Sequence, residues 1–157
     1  MQNPLRRFVF QCASVASLSL LVGCGPSGPN EVKIDISGND MMKYSDDRFE
    51  IDAPAKVTVN FYNVGKQPKV AMGHNFVLLK KGTDALAFSQ ACLTAGATPE
   101  NEYLPEKMRD QALGWTKILG PGEKETLVID IPEAGTYPYV CTFPGHFMNM
   151  KGVLIAR

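Results

Sequence analysis

Histidine is nearly missing from this chain: there are two in 157 residues, His74 and His146. A site built on imidazole therefore has at most two, too few for a catalytic metal beside a second metal centre. Charge of one sign is lacking as well. Sixteen Lys and Arg balance sixteen Asp and Glu, and no run of five like charges occurs, so nothing favours nucleic acid as a partner. There is no Gly-rich phosphate loop and no internal repeat. The apolar run from Phe8 to Leu20 is too short and too interrupted by small residues for a membrane span. With 45% hydrophobic and 20% charged residues, the composition is that of one globular domain around one buried core.

That N-terminal run reads as an export signal. Arg6 and Arg7 form its positive start, and it closes on Leu21-Val22-Gly23-Cys24. The closing tetrapeptide resembles the lipobox of bacterial lipoproteins, which implies cleavage before Cys24 and acylation of that cysteine. Residues 1–23 are then a lipoprotein signal peptide and residues 24–30 an acylated, polar tether. Residues 31–157 form the functional domain. The expected place is the bacterial cell envelope, lipid-anchored and facing the periplasm, with Gly25 after the cysteine favouring the outer membrane. Removing the two signal arginines leaves 14 basic (16 − 2) and 16 acidic side chains, a charge of −2.

From Glu31 the hydrophobic pattern has period two. Val32, Ile34 and Ile36 alternate with polar residues, as do Val57, Val59 and Phe61. Arg48 to Ile51, Phe76 to Leu79, Gly114 to Leu119, Thr126 to Ile131, Thr136 to Cys141 and Gly152 to Ala156 complete a set of short strands separated by turn residues. Thr83 or Asp84 begins a helix that Gly96 ends, and a shorter helical turn is expected at Glu106 to Asp110. Such spacing predicts an all-β sandwich.

Chemistry concentrates in Cys141-Thr142-Phe143-Pro144-Gly145-His146-Phe147-Met148-Asn149-Met150. Pro144 and Gly145 break regular structure, so the segment is a tight loop offering a thiolate, an imidazole and a thioether. Soft sulfur with imidazole suits copper, and two His, one Cys and a weak axial Met describe an electron-transfer site. The second imidazole is His74, in Met72-Gly73-His74-Asn75. Met148 competes with Met150 for the axial place. Zinc also takes Cys and His, but the thioether argues against it. Of the other cysteines, Cys92 is the one available to pair with Cys141; a free thiol in the helix is favoured for it.

The spacing Cys-x4-His-x3-Met, taken with Met72-Gly73-His74-Asn75, resembles the azurins among the small blue copper proteins of the cupredoxin family. The likeness extends through Ser37-Gly38-Asn39-Asp40, Trp115 to Gly120 and Met150-Lys151-Gly152, though the disulfide of the family's first strand is absent. The resemblance implies an all-β, Greek-key sandwich of the cupredoxin type, with one short helix outside the sheets, holding one copper ion that cycles between Cu⁺ and Cu²⁺. Its metal ligands would be His74, Cys141, His146 and Met150, with the Gly73 carbonyl as a weak fifth contact. Asn75 and Phe143 would brace the ligand loops. Met41, Met42 and Met72 would belong to an apolar docking patch around His146, the electron portal in an exposed loop. The partners implied are exported redox proteins such as cytochromes or reductases. The alternative is a copper trafficking or storage protein, which the exposed methionines keep open.

Overall fold

The computed structural model describes residues 28–157, so the expected signal peptide (residues 1–23) and the expected acylation site Cys24 lie outside the described residues. Two mixed sheets face each other. The first contains β1 (Asn30–Asn39), β2 (Lys43–Tyr44), β4 (Ala55–Asn63) and β7 (Lys124–Ile131), in the order β2-β1-β4-β7. The second contains β3 (Arg48–Ile51), β5 (Val77–Leu79), β6 (Ala112–Trp115), β8 (Gly135–Val140) and β9 (Lys151–Ala156), in the order β3-β9-β8-β5-β6. The pairs β1/β4 and β3/β9 are parallel and the remainder antiparallel. Parallel neighbours need a crossover, and here the chain makes it by changing sheets. Asn30, expected to close the tether, is the first residue of the sheet, because its N–H donates to the Pro54 carbonyl and it pairs with Ala55.

Alternation creates the core. Along β4 every second residue, Ala55, Val57, Val59 and Phe61, is buried, and Ile34 and Ile36 of β1 face the same way. They meet Leu78, Tyr137, Tyr139 and Leu154 from the other sheet. Strand β5 is apolar at every position because both of its faces are covered. Leu78 enters the core between the sheets, whereas Val77 and Leu79 pack on the outer side. That side is covered by helix α2 (Ala85–Thr94) through Phe88 and Cys92. Asp84 caps α2 by accepting from the Ala87 N–H at 2.8 Å.

Two departures from the sequence pattern shape the functional end. A four-residue helix, α1 (Lys69–Met72), immediately precedes Gly73. The strand expected from Gly114 to Leu119 stops at Trp115: Thr116 N–H still donates to the Phe76 carbonyl at 3.0 Å, but the two donors after it are taken by side chains. Lys117 N–H donates to Glu125 at 2.9 Å and Ile118 N–H to Glu102 at 2.7 Å. Pairing resumes at one point, where Leu119 bridges His74.

Candidate metal centre

The ligand loop joins β8 to β9 and is built around one turn. His146 N–H donates to the Phe143 carbonyl at 3.0 Å, with Pro144 and Gly145 at the two central positions. Gly145 has φ 83° and ψ −20°, the geometry that the third residue of a type II turn requires. Pro supplies the preceding φ and Gly tolerates the positive one, so the pair dictates the turn. Met150 N–H then returns to the His146 carbonyl, and Cys141 N–H donates to the Met150 carbonyl. Cys141 and Met150 are thereby fastened across the base of the loop.

The second segment is held by backbone. His74 exchanges two hydrogen bonds with Leu119, at 3.1 and 2.7 Å. Asn63 donates from its amide to that same Leu119 carbonyl at 2.8 Å. Gly73 is required by packing: a Cβ there would collide with Ile118 and with the Lys69 carbonyl.

These two segments bring three donors together. His74 Nδ1 lies 3.2 Å from His146 Nδ1, and Cys141 Sγ lies 3.7 Å from His146 Nδ1. All three donor atoms fall within 4.8 Å of one another, and all three residues are buried. Metal–nitrogen bonds of about 2.0 Å and metal–sulfur bonds of about 2.3 Å, at trigonal angles, separate donors by about 3.5 Å (N···N) and about 3.8 Å (N···S). The cluster therefore fits one ion at bonding distance. Met150 is fully buried beside it: a Cβ on Gly38 would meet the Met150 methyl at 2.5 Å and the His74 ring at 3.0 Å. Met148, the competing thioether, is 54% exposed and turned away to solvent.

Burial dominates the electrostatics of the cluster. Burial pushes the Cys141 thiol up to about 12, tempered by the backbone N–H groups of Asn75 and Phe143. Burial, with the neighbouring His74, holds the His146 imidazole down at about 4. Burial also lowers His74, against the Asn39 carbonyl and the Asp40 charge. His74 Nε2 nevertheless makes no hydrogen bond of good geometry, so the Asn39 carbonyl influences it without bonding well. A bound cation would reverse the first tendency, favouring thiolate, and reinforce the other two, favouring neutral imidazole.

Asn75 ties the two segments together. Its amide donates to the Thr142 hydroxyl at 2.8 Å and to the Glu102 carbonyl at 3.2 Å, while its carbonyl oxygen accepts from Thr142 N–H at 2.8 Å. Phe143 stacks on the His146 ring at 4.4 Å between centroids. Of the methionines expected at the surface, Met41 is 68% exposed, and Met42 and Met72 are half-buried. His146, expected in an exposed loop, is only 3% exposed, because Phe143 and the turn cover it. Cys92 is a free thiol on the buried face of α2, in a different cluster from Cys141. Sequence reasoning missed Gly38 and Tyr44, whose hydroxyl donates to the Asn75 carbonyl at 2.6 Å. Gly38 offered a signal in its position within an otherwise alternating strand.

Residues 30–157 match the family described as copper binding proteins, plastocyanin/azurin family. The chain belongs to this family. Azurin of Pseudomonas aeruginosa is 37% identical over 152 residues, covering 92% of this chain and 97% of the relative. Azurin of Bordetella pertussis is 37% identical over 129 residues, covering 79% and 83%. Among solved structures, dithionite-reduced auracyanin from Roseiflexus castenholzii superimposes with a TM-score of 0.69 at 31% identity, over 80% of this chain and 96% of that one. Auracyanin A, a "blue" copper protein from Chloroflexus aurantiacus, gives 0.67 at 28% identity, over 82% and 100%. Like these azurin-like cupredoxins, the chain is a blue copper electron carrier, and its cofactor is copper.

Proposed function

We propose that His74 Nδ1, Cys141 Sγ and His146 Nδ1 would be the strong copper ligands, with Met150 and the Gly73 carbonyl as weaker contacts. The observation that carries this reading is the convergence of those three buried donor atoms from two separately braced segments. Copper supplies reversible one-electron chemistry. The protein supplies rigidity: the type II turn, the His74–Leu119 bridge and the Asn75–Thr142 bonds hold the donors whatever the charge state. Burial excludes water, and the Asn75 and Phe143 N–H groups moderate charge on the sulfur. A trafficking or storage site needs accessible donors to hand the ion over, and here every strong donor is covered. The chain accepts and delivers single electrons among exported redox proteins such as cytochromes or reductases, with Met41, Met42 and Met72 in the docking surface. Acylated Cys24 keeps it on a membrane of the cell envelope, and the short tether raises the effective concentration of membrane-bound partners.

Two experiments test this. Met150→Leu removes the axial thioether and raises the reduction potential with the colour retained, while Met148→Leu leaves the potential unchanged; the reverse result moves the axial role to Met148. Full-length protein partitions with membranes and Cys24→Ser does not; equal partitioning refutes the anchor.

A further inference from the structure

Three non-glycine residues among the described residues have left-handed backbone, Met42 and the adjacent Glu102 and Tyr103. The adjacent pair has φ of 57° and 55°. Left-handed backbone is costly for side chains of this size and persists only where the surroundings impose it. The turn before them is closed on itself: Thr98 N–H donates to Asn101 Oδ1 at 2.9 Å, Asn101 Nδ2 to the Gly96 carbonyl at 2.8 Å, and Tyr103 N–H to the Thr98 carbonyl at 2.9 Å. The strain buys three outward contacts, each to a different part of the metal site. The Glu102 carboxylate accepts from Ile118 N–H at 2.7 Å, one residue before the Leu119 that pairs with His74, and Ile118 itself packs over Gly73. The Glu102 carbonyl accepts from the Asn75 amide at 3.2 Å. The Tyr103 ring lies 4.8 Å from the ring of Phe143, which stacks on His146.

We infer that Glu102 and Tyr103 form a latch that positions both imidazoles of the metal site, Glu102 through Ile118 and Asn75 on the His74 side and Tyr103 through Phe143 on the His146 side. Neither touches the metal, so both are positioning residues; the inference rests on the ligand set proposed above. The left-handed turn is what lets one short segment face both ligand-bearing loops at once. A residue in extended or helical backbone at 102 directs its carbonyl and its side chain differently and loses one of the two bonds.

The first test uses the unaltered metal-free chain, so it does not depend on copper. Hydrogen exchange followed by NMR should show the amides of Ile118 and His146 opening together with that of Tyr103, as one cooperative unit. Opening of Ile118 and His146 at unrelated rates overturns the latch. The second test uses copper release to a chelator from the copper-loaded protein. Glu102→Ala and Tyr103→Ala should each release copper about tenfold faster, the equivalent of one lost charged hydrogen bond or one aromatic contact. Glu102→Gln, which keeps an acceptor, and Tyr103→Phe, which keeps the ring, should stay within about twofold of the parent. A merely structural role predicts that the alanine variants lose stability while copper release and the blue absorption band do not move; that outcome also overturns the proposal. A parent protein that binds copper without turning blue would instead count against the ligand set, leaving the exchange result to judge the latch alone.

Discussion

Replacing Asn75 by Leu isolates the bond network that joins the two ligand segments. The two side chains share the same branched skeleton, so the substitution removes polarity without opening a cavity, although the two methyls are bulkier than the amide. Three hydrogen bonds are lost: two to Thr142 at 2.8 Å and one to the Glu102 carbonyl at 3.2 Å. At about 1 kcal/mol net each, their loss costs about 3 kcal/mol. Asn75 and Thr142 are essentially inaccessible to solvent, so the Thr142 N–H and hydroxyl are left without water, whereas the Glu102 carbonyl sits nearer the surface. Orphaned buried groups raise the total to about 5 kcal/mol. Equilibrium unfolding of the metal-free protein in urea should therefore show a loss of about 3–5 kcal/mol with an unchanged slope. Asn75→Asp keeps the acceptor for Thr142 N–H and should fall between Leu and the parent. A loss below about 1 kcal/mol for Asn75→Leu would refute the idea that this network carries the join.

Protonation should shape the stability of the metal-free protein on both sides of neutrality. His146 is held at about 4, below its ordinary value, so the unfolded chain binds more protons; stability is full above about pH 6.5 and falls towards pH 4, by about 3 kcal/mol for this residue. Cys141 is raised to about 12 and Cys92 to about 11, so the unfolded chain loses protons first and stability falls again as pH rises above about 9; urea unfolding across pH checks both limbs. Gly38→Ala places a methyl 2.5 Å from the Met150 terminus, which must shift; the expected outcome is a folded protein, about 1–3 kcal/mol less stable, with an altered reduction potential by voltammetry. Asp84→Ala removes the α2 cap and touches no donor, costing about 1 kcal/mol in denaturant unfolding with the visible spectrum unchanged.

Patterns that are local in sequence were legible. The alternation at Val57, Val59 and Phe61 gave the strand and its buried face, and Asp84 gave the start of α2. Pro144-Gly145 gave the turn, and the order of thiol, imidazole and thioether around it gave the donor cluster. What escaped was set by contacts between distant segments. No hydrophobic period marks Lys69–Met72, which has no side-chain cap and buries nothing. Nothing near Thr116 to Leu119 says that carboxylates of Glu102 and Glu125 take the donors a strand would use. Gly38 is dictated by a methionine and a histidine that meet it only after folding. The left-handed Glu102 and Tyr103 carry none of the residue types that favour such backbone, because their geometry is imposed by partners on three other segments.

The most direct measurement adds Cu²⁺ to the purified domain beginning at Gly28, alongside its Cys141→Ser variant, and records visible absorption and electron paramagnetic resonance. Three convergent buried donors predict one tightly bound copper per chain, an intense blue thiolate-to-copper band and a narrow hyperfine splitting. The Ser variant should remain folded and colourless. A blue Cys141→Ser protein, or a parent that binds Cu²⁺ without colour, would contradict the account.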